Sequence, residues 1–394
     1  FKQKTAYEIG VRLVGSEMCI RDRPQRVSVQ NRFILFPLVA ASPVEVALSI
    51  SPRARVDLVD VRQRVSEGHD DLLDQFPKAL YSSFHTTAGY LDQSLARRLN
   101  HQRDGLAPYL TFFRNVFPEG AGYKHDELHL REELTEAQRR IEPPNADSHL
   151  AFISAGLRSC VTYRDRGSQP VYFIDLDGVY RGQPRQRVTT VLGYNTEETV
   201  AQDRVEVPVS SHPVDSVSLK SSEVGIYERC RELIRRHGVT KGRIQLSLGP
   251  NEDHAGLTVN EYETLLMRHD LAEVIRDPLR FMAEKSRHLL ADPRSIPNKT
   301  IDYAKYDMVR VFNELVDTLR LSDSVVEQIV SRFFGAPARH FLRMKRSISV
   351  PVSDRDTPGA GYLAQGQYQS PILVQWRRSE SRARQVDIIL TRFL

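Results

Sequence analysis

One order of elements is written twice in this chain around a histidine, the copies about 170 residues apart, and that repeat limits the folds open to it. Alternating residues predict a strand near 54–61 and another near 215–222. An amphipathic helix is expected after each, over 67–80 and 225–237, and then a short apolar strand, 79–84 or 243–248. A histidine among small residues follows each strand: Phe84-His85-Thr86-Thr87-Ala88-Gly89 and Asp253-His254-Ala255-Gly256-Leu257-Thr258. The second copy continues Val259-Asn260-Glu261.

A second anchor supports the duplication. Ala146-Asp147-Ser148-His149-Leu150 opens an apolar-periodic helix in the first half, as Pro337-Ala338-Arg339-His340-Phe341-Leu342 does in the second, and each leads into paired strands. The second copy is longer between its two histidines. The surplus is expected near 301–334, where Met308, Val311, Phe312, Leu315 and Leu319 recur at helical spacing and suit a helical insertion docked on the domain.

With these anchors the chain resembles the YjbQ-like family, an uncharacterised protein family labelled secondary thiamine-phosphate synthase. The family pattern is a His-Thr-Ser-Ala segment, an Asn-Glu-Asn, a Tyr-x-His-Asp, a Ser-His-(Ile/Leu) helix start and a hairpin with Thr-Trp-Gln-Gly-Ile. The first copy keeps His85-Thr86-Thr87-Ala88, Tyr123-Lys124-His125-Asp126 and Asp147-Ser148-His149-Leu150, with Leu176-Asp177 in the place of Trp-Gln. The second keeps His254, Asn260-Glu261, His340 and Tyr368-Gln369-Ser370-Pro371-Ile372, without a Tyr-x-His-Asp. The resemblance implies an α+β fold of two tandem YjbQ-like domains with mixed sheets and flanking helices, residues 54–205 and 206–394, preceded by a strand-like segment at 24–53.

Residues 1–23 look like the translation of a sequencing-adapter stretch and are set aside from fold reasoning. The apolar run at 33–50 is broken by Pro37, Pro43 and Glu45, so it does not read as a membrane span. Arg26 and Arg32 ahead of Phe33-Ile34-Leu35-Phe36 loosely imitate a signal peptide, against the plainer reading of a strand or strand pair. A formal net charge of +5 is too weak a bias to argue for nucleic acid. The densest basic stretch, Arg377, Arg378, Arg382 and Arg384 beside Trp376, reads as a solvated face of a closing hairpin. Cys160 and Cys230 lack metal or disulfide-framework spacing and fit buried packing in a reducing, cytoplasmic setting.

The chemistry must lie in the histidines and their acidic neighbours. His85, His125 and His149 come from three separate segments of one copy, and three neutral imidazoles are a normal first shell for zinc or a related divalent ion. Protonated, the same cluster would bind phosphate. Asp126 and Asp147 are candidates to orient those rings, although Asp147 also reads as a helix cap. His254, Glu261, His340 and Gln369 are the counterparts in the second copy, with Glu261 a candidate general base or metal ligand and Gln369 its catalytic companion. Either one copy is structural or the two complete each other's sites across an interface.

Walker, dinucleotide, GxSxG and HExxH motifs are missing from the sequence. The resemblance implies a transferase-like site, holding zinc or magnesium, that handles phosphorylated small molecules, with Arg185 and Arg187 as phosphate partners and a homo-oligomeric assembly. The competing expectation is a non-catalytic duplicated module that binds a ligand or assembles, with degenerate sites.

Overall fold

A computed structural model describes residues 41–69, 72–164, 169–276, 281 and 344–394. The expected insertion at 301–334, His340 and residues 1–40 lie outside them.

The first half builds two sheets. In one, β1 (Val44–Ile50), β9 (Arg187–Tyr194), β3 (Lys78–Ser83) and β5 (Cys160–Arg164) lie in that spatial order. In the other the order is β2 (Asp57–Asp60), β6 (Tyr172–Asp175), β4 (Ala88–Gly89). The second half writes the same two orders. Its larger sheet runs β10 (Glu197–Pro208), β17 (Ala383–Phe393), β12 (Gly242–Leu248), β14 (Ser347–Ser353), with β15 (Tyr362–Leu363) added at the edge. Its smaller sheet runs β11 (Asp215–Ser218), β16 (Gln369–Gln375), β13 (Ala255–Glu261). A separate hairpin pairs β7 (Val179–Tyr180) with β8 (Gln183–Pro184).

All these pairings are antiparallel, which corrects the expectation of mixed sheets. The reason is topological. The helix α1 (Val61–His69) carries the chain from β2 in one sheet to β3 in another, so it never returns to a parallel neighbour of its own strand. This helix also starts earlier than the 67–80 expected from the apolar spacing. Leu72–Gln75 is a 3₁₀ turn, and Phe76 packs against Gly193 of β9 instead of continuing a helix. The matching helix α6 (Ile226–His237) follows its sequence closely. Ile226, Tyr227, Cys230, Leu233 and Ile234 form its buried stripe, and Gly238 at φ 57° closes it in the left-handed region.

Register relates the smaller sheets in detail. Asp57 pairs with Asp175 as Asp215 pairs with Gln375.

The remaining helices of the described residues are α2 (Gln93–Arg98), α3 (Arg103–Val116), α4 (Glu136–Ile141), α5 (Ala146–Ser154), which packs on α3 and carries His149, and α7 (Leu271–Arg276). The described residues from 41 onward belong to one compact unit. Its main core takes Leu110, Phe113 and Leu150 from the first half together with Leu266, Leu271, Ile372 and Val374 from the second. The halves also meet at backbone distance. A Cβ on Gly366 would lie 1.9 Å from the Phe84 carbonyl oxygen. Gly366→Ala should therefore cost roughly 2–3 kcal/mol, as overpacking against immobile backbone does; a chemical-denaturation midpoint equal to the wild type's would show that this contact is not made.

Candidate metal centre

His125 sits in the segment after α3 with its ring fully buried. The segment is pinned from the second half: the Lys124 and His125 backbone N–H groups donate to the Asp270 carboxylate at 3.0 and 2.9 Å. Asp270 ends a π-helical turn, Leu266–Asp270, whose start is capped by Glu263. One Glu263 oxygen accepts from Leu266 N–H and also lies 2.8 Å from His125 Nδ1. A carboxylate receiving backbone N–H groups acts as an acceptor, so Nδ1 carries the proton and Nε2 presents its lone pair. Burial pulls the His125 pKa down, but the Glu263 hydrogen bond and the Glu261 charge outweigh it, and the net shift is upward.

His149 comes from α5 and is also fully buried. Its Nδ1 lies 2.6 Å from Asn260 Oδ1. The Asn260 orientation is fixed, because Oδ1 accepts the Glu261 N–H at 2.8 Å while Nδ2 donates to the Thr86 carbonyl at 3.3 Å. His149 Nδ1 is therefore the donor. Its Nε2 has no hydrogen-bond partner among the described residues and stands 3.5 Å from Glu261 Oε2. Burial, and then the charge of His125, hold the His149 pKa well below the ordinary imidazole range.

Glu261, the last residue of β13, completes the group. One donor atom from each of His125, His149 and Glu261 lies within 4.8 Å of the others. Two imidazoles and a carboxylate are the donor set of zinc sites that keep an open position. Tetrahedral bonds of about 2.0–2.1 Å would place donors about 3.4 Å apart, so the three would close by no more than about 1.4 Å. The orphaned His149 Nε2 fits such an ion, and the nitrogen-rich set suits zinc better than magnesium, which prefers oxygen. Arg131 neutralises the carboxylate: Nη2 donates to Glu261 Oε1 at 2.8 Å, and Nη1 is 3.4 Å from His125 Nε2.

Other residues singled out in the sequence have different partners. His85 is not in the cluster: its Nε2 accepts the Val188 N–H at 2.7 Å, which engages a nitrogen a metal would need. Gln369 is saturated by backbone, donating to the carbonyls of Ser83 and His85 and accepting from Gly366 N–H, so it clamps the halves together and has no free atom for catalysis. His254 Nε2 accepts from Arg377, apart from the cluster. Asp126 accepts the Ala146 N–H at 3.0 Å and caps α5, and burial pushes its carboxyl up to about 6. Asp147 pairs with Arg55. Arg187 is locked to Asp175 by two bonds, and Arg185 to Asp177. Neither aspartate orients a ring, and Arg187 has no free face for phosphate. Sequence reasoning missed Glu263, Asn145 and Arg131.

His85 gives a pH dependence that can be isolated. Burial, then the charges of Arg187 and Arg185, push its pKa down to about 3. Between the unfolded value near 6.5 and that figure the unfolded chain binds a proton the folded ring refuses, so this contribution is full above about pH 6.5 and is lost as pH falls. Wild type minus His85→Gln stability should decline towards acid by up to about 1.4 kcal/mol per pH unit; a difference independent of pH between 7 and 4 would contradict it.

No protein-family model matches this chain, and no curated protein does. Among solved structures it is similar to a protein of Sulfolobus solfataricus P2 described as YbjQ-like and of unknown function, at 15% identity over 50% of this chain and 99% of that one, with a TM-score of 0.25. It is also similar to a hypothetical protein of Aeropyrum pernix K1, at 16% identity over 48% of this chain and 98% of that one, with a TM-score of 0.26. A third is an uncharacterized conserved protein of the yjbq/upf0047 family from Clostridium acetobutylicum, at 12% identity over 48% and 99%, with a TM-score of 0.23. Two of these structural neighbours are described as YjbQ-like or of the yjbq/upf0047 family, and each covers about half of this chain.

Proposed function

We propose that the chain is a tandem duplication of a YjbQ-like domain in which the first copy's His125 and His149 and the second copy's Glu261 hold one zinc-class ion, and that the loaded site takes a phosphorylated small molecule. The observation that carries the metal is the pair of fixed tautomers. Both Nδ1 atoms are committed to acceptors, so the Nε2 lone pairs turn towards the group that Glu261 completes, that of His149 unpartnered and that of His125 beside Asn145 Oδ1 and Arg131 Nη1. The duplication is supported by the matching strand orders of the two halves.

A phosphorylated ligand is supported by charge. Arg131 and Arg185 both add positive charge around His149, each while paired with a carboxylate, and Arg185 is part-exposed. When bound, the ion would supply neutralisation of a leaving or bound phosphate, which is what a reaction of the secondary thiamine-phosphate synthase type demands. Arg131 would hold the carboxylate, and Arg185 would meet the anion at the rim. Inorganic pyrophosphate is the probe. Calorimetry should find it binding to zinc-loaded protein and not to chelator-stripped protein, and Arg185→Gln should weaken it; equal binding by both forms would remove the metal from ligand recognition.

The full burial of both rings favours a second reading, a metal that serves structure. In that case zinc would raise the melting temperature without creating a pyrophosphate site. No described helix is long and apolar enough to cross a membrane. A cytoplasmic location and a homo-oligomeric state complete the proposal.

A further inference from the structure

Asn145 immediately precedes α5, the position where an asparagine ordinarily bonds the helix's first free N–H groups. Its side chain makes no such bond, and Asp126 takes over by accepting the Ala146 N–H. The amide is free to turn inward, where it is buried. Its Nδ2 donates to Asp177 Oδ2 at 2.8 Å. Asp177 is itself paired with Arg185 and offers only acceptor oxygens, so the amide cannot be reversed. Asn145 Oδ1 is thereby aimed at His125 Nε2 across 3.3 Å.

That contact sets one lone pair against another, because the His125 proton is committed to Glu263 on the far side of the ring. Two acceptors so placed require a cation or a proton between them. His149 Nε2, also without a proton, and Glu261 face the same space. Arg131 Nη1, at 3.4 Å from His125 Nε2, also donates towards this nitrogen, and an ion between Nε2 and Oδ1 would have to displace it. We propose that Asn145 Oδ1 is the fourth protein ligand of the ion held by His125, His149 and Glu261, oriented by Asp177. The inference rests on the metal reading above and completes four protein donors, so that a phosphate would reach the ion only as a fifth ligand.

The test compares zinc affinity, by competition with a chromophoric chelator, and the visible spectrum of the cobalt(II)-substituted protein. Asn145→Ala should weaken zinc about 10- to 100-fold and alter the cobalt spectrum. The exchanged pair Asn145→Asp with Asp177→Asn keeps both the orienting hydrogen bond and a ligating oxygen, so it should restore both readouts. If Asn145→Ala binds zinc and colours cobalt as the wild type does, the space between Oδ1 and Nε2 holds a proton and the inference fails while the three-residue centre stands. If the exchanged pair stays as weak as the alanine variant, with an unaltered spectrum, Asn145 is no ligand. If the wild-type chain takes up no zinc, the metal reading fails and the inference with it.

Discussion

Arg187→Met should lower the stability of the protein by about 3–5 kcal/mol, the cost of leaving a buried charge unpaired. Arg187 and Asp175 expose only 4% and 1% of their side chains and share bonds of 2.6 and 3.0 Å, and Arg187 also donates to the Asp177 carbonyl at 2.6 Å. Removing the guanidinium strands the Asp175 carboxylate and one carbonyl where water cannot reach them. The pair joins the two sheets of the first half, since Arg187 opens β9 and Asp175 ends β6. Urea unfolding followed by circular dichroism measures the loss. The double variant Arg187→Met with Asp175→Leu should recover most of it, because the stranded charge is gone; a single variant within about 1 kcal/mol of the wild type would show that the pair is solvated.

Zinc affinity should fall on the order of 10²- to 10³-fold in His149→Ala and in Glu261→Gln, since a four-ligand zinc site is worth about 10–16 kcal/mol and each ligand carries a share. The two substitutions report on opposite halves of the chain. His149 lies on α5 of the first half and Glu261 on β13 of the second. Equal losses would mean that one ion is held by both. The variants should differ without metal: Glu261→Gln weakens the charge bond to Arg131, whereas His149→Ala leaves a small void. If His149→Ala removes binding and Glu261→Gln leaves it intact, the second half is not part of the centre.

The sequence marks His125, His149 and Glu261 one by one, because each sits in a short motif, and it leaves open whether the copies hold separate sites or complete each other's. Their union depends on pairings such as His149 with Asn260 and His125 with Glu263, which no local pattern announces. Asn145 precedes a helix and looks like a cap, and Arg131 lies in the charged run Arg131-Glu132-Glu133, which looks like a solvated face. Both roles appear only when α5 and the segment after α3 pack on β13. Secondary structure was easiest to read where one face alone is buried, as in α6 and β12. It misled at Leu72, Phe76 and Leu80, whose helical spacing is shared between a 3₁₀ turn, a loop and a strand. His85 and Gln369 stand in motif positions yet bond backbone, the His85 ring within the first half and Gln369 across the seam, a distinction only geometry can make.

The most direct single measurement is the metal content of the purified chain after stripping with chelator, reloading with zinc and desalting. One equivalent of zinc per chain, lost in His149→Ala, is the result expected of a centre shared between the halves. Retention of less than a tenth of an equivalent by the wild type, or full retention by His149→Ala, would contradict it.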